Sequence, residues 1–331
     1  VTDNRDIQNV SYHDGLIRLT GIDRAKLPNL KPANSTLGFL RPDIARNWGL
    51  RDDVKVVMGS PDIHSAAVGS GAVRDFEPHL YIGTSSWLTC HVPFKKTDLF
   101  HNLAALPSGI PGRYLLTNEQ ETAGGCLQYL RDHIFFPLDA LSSGTKPANV
   151  YNLFNELAAS VPAGSDKLIF TPWLYGERSP VDDHLVRGGF FNQSLGTTRA
   201  HMVRAVFEGV AYNSRWLLKY VEQFNKQPVA AINMVGGGAK SNLWCQIHAD
   251  VLNRPIRQVK DPIEANVRGA ALLASASLGY LGYHEIGTHV VIANTYEPNP
   301  DHRKIYDELF REFIAIYESN RKIYARLNRT H

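Results

Sequence analysis

Apolar and polar positions along the chain switch between two periods. Short β-branched and aromatic runs predict strands at residues 54–58, 80–82, 87–89, 113–117, 168–170 and 231–235, each closed by glycine, proline or small polar residues. Apolar positions at helical spacing predict helices over residues 119–133, 240–252 and 263–281. The longest helical candidate is capped by Thr198 and runs to Asn225, with Val203, Val206, Phe207, Val210, Leu217 and Val221 approximating one stripe. The last stretch, Arg303–Asn328, sets Ile305, Leu309, Phe313, Ile316, Ile323 and Leu327 near the same spacing, as an amphipathic helix packed on its own domain. Strands alternating with helices predict an α/β fold.

Composition narrows the class. The 331 residues suffice for two domains with their own cores, and 44 % apolar with 20 % charged residues argues against wholesale disorder. A net charge of +3, with no Lys/Arg run, gives no footprint for nucleic acid. Cys90, Cys126 and Cys245 are odd in number and form no CxxC pair, which fits a reducing, cytoplasmic setting better than a disulfide framework. No apolar window approaches the length of a membrane span. The opening Val1-Thr2-Asp3-Asn4-Arg5-Asp6 has neither an initiator Met nor a signal peptide's apolar core, and reads like the middle of a longer protein. Asp75, Glu77 and Pro78 interrupt the apolar pattern and place a domain boundary near residue 75.

Three glycine-containing turns are the candidate chemistry. In Gly236-Gly237-Gly238-Ala239-Lys240-Ser241-Asn242, glycines permit close backbone approach, and a following helix offers free N–H groups to an anion. A tight strand-to-helix turn without a ligand explains it equally well. Ser241 stands where a dinucleotide fingerprint needs glycine, and no Gly-Lys pair exists for a Walker A loop. Gly83-Thr84-Ser85-Ser86 at a hairpin tip combines backbone N–H groups with three hydroxyls suited to phosphate, or is a plain surface hairpin. Asp62, in Gly59-Ser60-Pro61-Asp62, is either a helix cap or a carboxylate poised at a strand's carboxyl end, where open α/β sheets bind ligands. The histidines form no HxxxH or HExxH pair, and no G-x-S-x-G occurs. Glu177-Arg178 and Asp182-Asp183 cluster in a loop after Pro172-Trp173 that could contact substrate, with a solvated loop the favoured reading.

Taken in order, these turns resemble the FGGY family of carbohydrate kinases. Gly59 to Gly69 is similar to that family's catalytic-aspartate segment, and Tyr81 to Ser86 to its second phosphate hairpin. Thr171 to Pro180 resembles its GERxP segment, Ala123 to Asp132 its nucleotide-facing helix, and Val235 to Gln246 with Ala249-Asp250 and Gly269-Ala270-Ala271 its adenosine side. Two features depart from the family: Gly189-Phe190-Phe191 runs into Asn192-Gln193 where Gly-Leu is usual, and the first phosphate hairpin, Asp-x-Gly-Thr, is absent.

The resemblance implies a ribonuclease-H-like, actin/hexokinase-type α/β fold. Residues 1–75 would be the incomplete end of a sugar-binding domain and 76–331 a nucleotide-binding domain. It implies ATP with Mg²⁺ as cofactor and a small sugar as substrate, a xylulose-like pentulose first, with glycerol, a tetritol or another ketose as alternatives. Asp62 would be the general base and a possible Mg²⁺ contact. Gly83 and Thr84 would hold phosphate, Gly124 and Gln128 would flank the nucleotide, and Gly237, Gly238, Ala239 and Asn242 would line the α-phosphate and adenosine side. A nucleotide-binding half without catalysis, or a nicotinamide oxidoreductase using the Gly236 turn, are the competing readings. A homodimer is the default assembly for such an enzyme.

Overall fold

The computed structural model describes residues 2–140 and 146–329. Its N-terminal part is made of short pieces. β1 (Thr2–Asp3) pairs antiparallel with β2 (Ser11–Tyr12), α1 (Asp14–Thr20) follows, and β3 (Thr36–Phe39) pairs antiparallel with β4 (Lys55–Val57) around α2 (Pro42–Asn47). Elements this short bury little, and Leu19, Phe39 and Trp48 stay 84 %, 65 % and 69 % exposed. α3 (Asp62–Gly69) differs, being buried from His64 onward.

The main sheet begins with β5 (Pro78–Ile82), β6 (Ser86–Val92), β7 (Thr97–Asp98), β8 (Leu103–Pro107) and β9 (Tyr114–Thr117). After α4 (Gly124–Tyr129) and α5 (Val150–Ala159), β10 (Ile169–Thr171) and β11 (Gly189–Phe191) form a separate ribbon. α6 (Arg199–Asn225) leads to β12 (Ile232–Val235), α7 (Asn242–Leu252), β13 (Ile256–Val259), α8 (Ala265–Ser277), β14 (Ile292–Tyr296) and α9 (Arg303–Asn328). The eight strands of this sheet are ordered β14-β13-β12-β5-β6-β9-β8-β7. β12 runs parallel to both β5 and β13, and the other pairs are antiparallel. That parallel pairing, with Val235 opposite Tyr81, brings the turns after β5 and β12 side by side.

Strand periodicity sorts the two faces. Leu80, Ile82, Ile232 and Met234 join the large core under α6 and α7, whereas Tyr81 and Val235 pack toward Ala265 of α8. On that second face α3 crosses α8 backbone to backbone: a Cβ on Gly69 would lie 1.8 Å from the Ala265 carbonyl oxygen, and one on Gly269 1.8 Å from that of Ser65. Glycine at both positions is what lets the helices meet so closely.

The strongest stripes behave as read. Thr198 caps α6, its side chain accepting from the His201 N–H, and α9 spans residues 303–328. Elsewhere boundaries move. The helix expected over 119–133 starts only at Gly124, because Gln120 and Ser86 exchange backbone hydrogen bonds of 2.7 and 3.1 Å, and it widens into a π turn at Leu130–Phe135. The helix expected from residue 240 starts at Asn242: Gly237–Lys240 forms a 3-10 turn, and Ser241 caps α7 through Trp244 N at 3.0 Å. The helix expected over 263–281 is α8 preceded by a 3-10 turn, and it stops before Gly279 at φ 80°. Among the described residues no helix is long and apolar enough to cross a membrane.

Candidate active site

A cavity of roughly 500 Å³ opens beside the C-terminal ends of β5 and β12. Six of the residues singled out from the sequence line it: Gly83, Thr84, Gly124, Gln128, Gly237 and Gly238. The turns are held together by backbone. Gly124 N–H donates to Gly83 O at 2.8 Å, and Ala123 and Gly125 N–H donate to Thr84 O at 2.7 and 3.1 Å. A Cβ on Gly124 would sit 2.4 Å from Gly83 O, so glycine is required by the approach itself. Gly83 N–H is turned to Ser85 O at 2.9 Å. Among the described residues, the backbone donors this leaves at the tip for an anion are those of Thr84 and Ser85.

The other expected residues lie apart from this lining. Ala239 is fully buried, and its carbonyl accepts from Gln258 Nε2 at 2.7 Å, so its side chain offers a ligand nothing. Asn242 is exposed on α7, with Oδ1 accepting from the same amide at 3.0 Å. Ser86 is buried and donates to Gln120 Oε1, leaving Thr84 and Ser85 as the hairpin's free hydroxyls.

Asp62 opens α3 without capping it: Pro61 holds the cap position, and Asp62 Oδ1 accepts from Ile63 N–H at 2.7 Å. The carboxylate is exposed, and its charge is felt at Tyr81, the residue two before Gly83. Burial, and after it the Asp62 charge, raises the Tyr81 phenol. The Tyr81 ring also lies 2.5 Å from where a Gly83 Cβ would be, and it stacks on Trp87 with centroids 4.0 Å apart. Trp87 Nε1 donates to His79 Nε2 at 3.1 Å. Burial holds the His79 imidazole down to about 3, hence neutral and able to accept.

The far wall of the cavity is a residue set the sequence reading missed. Asn149, Tyr151, Asn152 and Asn155 of α5 and its cap face the opening, with Lys240 and Trp244 beside them. Asn149 caps α5 through Asn152 N, and Asn155 Oδ1 accepts from Ser241 Oγ at 2.5 Å, tying this wall to the Gly236 turn. The signal was present as asparagines at residues 149, 152 and 155, one helical face, but no helix was expected there.

The solvated-loop reading of Glu177 is overturned. Its carboxyl is 1 % exposed, and burial pushes it up to about 7 against hydrogen bonds from Asn213, Glu121 N and Arg178 N. Arg178 reaches back to Glu119 at 2.6 Å and to Glu121. Of the acidic pair, Asp182 is exposed, whereas Asp183 accepts from Leu185 N and the Tyr317 hydroxyl. Among the described residues no group of three or more His, Cys, Asp or Glu side chains could hold a metal ion. A divalent ion carried by a nucleotide needs fewer protein ligands; Asp62 is an exposed carboxylate whose Oδ1 accepts from Ile63 N–H, and it is not part of the cavity lining.

Comparison with known proteins decides the family. Residues 80–278 match the C-terminal domain of the FGGY family of carbohydrate kinases, and residues 2–69 match its N-terminal domain. The chain belongs to the FGGY family. A xylulose kinase of Staphylococcus epidermidis is 30 % identical over 303 residues, 91 % of this chain and 58 % of that protein. A gluconokinase of Bacillus subtilis is 27 % identical, covering 94 % of this chain and 60 % of its own length. The crystal structure of gluconate kinase from Lactobacillus acidophilus superposes with a TM-score of 0.82 at 26 % identity, over 96 % of this chain and 62 % of that one. The FGGY chain described here thus has the actin/hexokinase-like fold of these kinases and spans about three fifths of the relatives' length.

Proposed function

We propose that the protein to which this FGGY chain belongs transfers the γ-phosphoryl group of ATP to a hydroxyl of a small sugar. The observation that carries the reading is the convergence of three turns far apart in sequence, at Gly83, Gly124 and Gly237, on one cavity. In this reading the α5 wall takes the base, Gly237 and Gly238 approach the α-phosphate, and Thr84 and Ser85 N–H groups hold the transferring phosphate. The sugar oxygen attacks phosphorus in line as the bond to ADP breaks, and Asp62 takes the hydroxyl proton. Mg²⁺ would neutralise the β- and γ-phosphate oxygens, with Asp62 as its protein carboxylate. Phosphoryl transfer depends on positioning and charge stabilisation more than on a reactive nucleophile, which suits a site built of glycine turns.

Residues 1–75 fit the end of a sugar domain and 76–331 the nucleotide domain. The xylulose kinase relative favours a pentulose. The gluconokinase relative keeps a sugar acid as the next choice. The coverage of about three fifths supports a second reading, a nucleotide-binding half that turns over only with the rest of a sugar domain. ADP release with Mg·ATP against D-xylulose, gluconate and glycerol separates these. Xylulose-dependent turnover is expected of the complete kinase. Turnover with gluconate alone would overturn the pentulose choice, and binding without turnover by this chain would favour the second reading.

A further inference from the structure

Glu177 is buried and titratable, yet it neither lines the cavity nor pairs with a cation among the described residues. Its Oε1 accepts from the N–H of Glu121 at 2.9 Å and of Arg178 at 2.8 Å, and its Oε2 from Asn213 Nδ2 at 2.5 Å. A buried carboxylate without a counter-charge is expensive, and a neutral side chain would fill the same space with less penalty. What this carboxylate touches suggests a reason for it.

The loop it holds, residues 118–123, clasps the phosphate hairpin. Gln120 exchanges backbone hydrogen bonds with Ser86, accepts from Ser86 Oγ at 3.1 Å and donates to Asn213 O at 2.8 Å. Three and four residues on, Ala123 and Gly124 donate to Thr84 O and Gly83 O. Asn213 therefore joins Glu177 to Gln120 from the α6 side, while Glu121 N joins them along the loop. Removing the carboxylate would leave the Glu121 and Arg178 amides and the Asn213 amide without their acceptor in a buried place.

We propose that Glu177 is a positioning residue that locks the 118–123 loop onto the Gly83–Ser85 hairpin and so sets the geometry the hairpin presents to phosphate. The second half of this statement rests on the nucleotide reading of the cavity; the first half does not.

The test compares wild type, Glu177→Ala and Glu177→Gln by amide hydrogen exchange and by calorimetric titration with Mg·ATP. Exchange at Ala123, Gly124 and Gly125 is expected to quicken by about ten-fold or more in Glu177→Ala, with β12 amides unchanged. Mg·ATP affinity should fall by about ten-fold. Glu177→Gln keeps the Oε1 acceptor and should fall between, which preserves the test if the alanine variant does not fold. Exchange that quickens throughout the chain, or not at all, would overturn the proposal, as would unchanged affinity in a Glu177→Gln protein with loosened 123–125 amides. Failure of wild type to bind Mg·ATP would remove the nucleotide reading alone, and the exchange data would still decide the loop lock.

Discussion

Asp62 has no structural work that would explain it: it is exposed, does not cap α3, and commits one oxygen to its neighbour's N–H. Asp62→Asn should leave folding nearly unchanged and lower kcat of the complete kinase by about 100-fold or more, read by steady-state kinetics. Turnover near wild type would remove it from the chemistry. Glu177 makes the opposite kind of prediction. Its folded pKa of about 7 stands above the ordinary 4.5, so its contribution to stability is full below pH 4.5 and is lost as pH rises through 7. The charged and titratable groups around it include Arg178 beside it, Asp183 bridged to it backbone to backbone, Glu119 and Glu121 near the clasping loop, and the Cys126 thiol of α4. Denaturant unfolding at pH 5 and pH 8 should show wild type losing up to about 3 kcal/mol relative to Glu177→Gln over that span. A pH-independent difference would mean the carboxyl titrates normally. At this scale the sequence was legible where a residue sits in a turn, as with Gly83 and Gly237. It was illegible where burial decides, since nothing local in Gly176-Glu177-Arg178 says which charge goes inside.

Among the elements, the glycines divide by what surrounds them. A Cβ on Gly238 would meet Ile82 Cγ2 at 2.4 Å, so substitution there disturbs packing before it disturbs a ligand, whereas a Cβ on Gly237 meets nothing within 4 Å. Gly237→Val is therefore the cleaner probe: stability should hold within about 0.5 kcal/mol while nucleotide affinity falls. A matching loss of stability, or unchanged affinity, would say that this turn is structural only. Gly269→Ala should do the reverse. Parting α3 from α8 by a methyl should cost about 3 kcal/mol in denaturant unfolding, and wild-type stability would contradict the close crossing. Long stripes made α6 and α9 readable to within a residue or two. α5 was missed because its ten residues have too few turns for a stripe, and β13 and β14 because Arg257 and Gln258, then Asn294 and Thr295, interrupt the apolar run. The start of α4 was misplaced by a tertiary contact, the Gln120–Ser86 pairing, which overrides local propensity.

For the whole molecule, the order of strands was beyond the sequence, because β12 pairs with β5 from more than a hundred residues away. What that order creates is a sheet with neutral histidines inside it. Burial holds His79 down to about 3 and His91 to about 4, and His248 on α7 to about 4. Each folded pKa lies below the ordinary 6.5, so the stability they contribute is intact above pH 6.5 and lost as pH falls toward 4. Wild-type unfolding should weaken steadily over that range, and a flat profile between pH 6.5 and 4 would contradict their neutral burial. The same strand order sets the Gly83 and Gly237 turns side by side, and on that adjacency the nucleotide assignment stands. The decisive measurement is calorimetric titration of this chain with Mg·ATP, wild type beside Gly237→Val. Saturable binding at one site, weakened by about ten-fold or more in the variant, is the expected result. No binding by wild type, or equal binding by both proteins, would take the nucleotide out of this cavity.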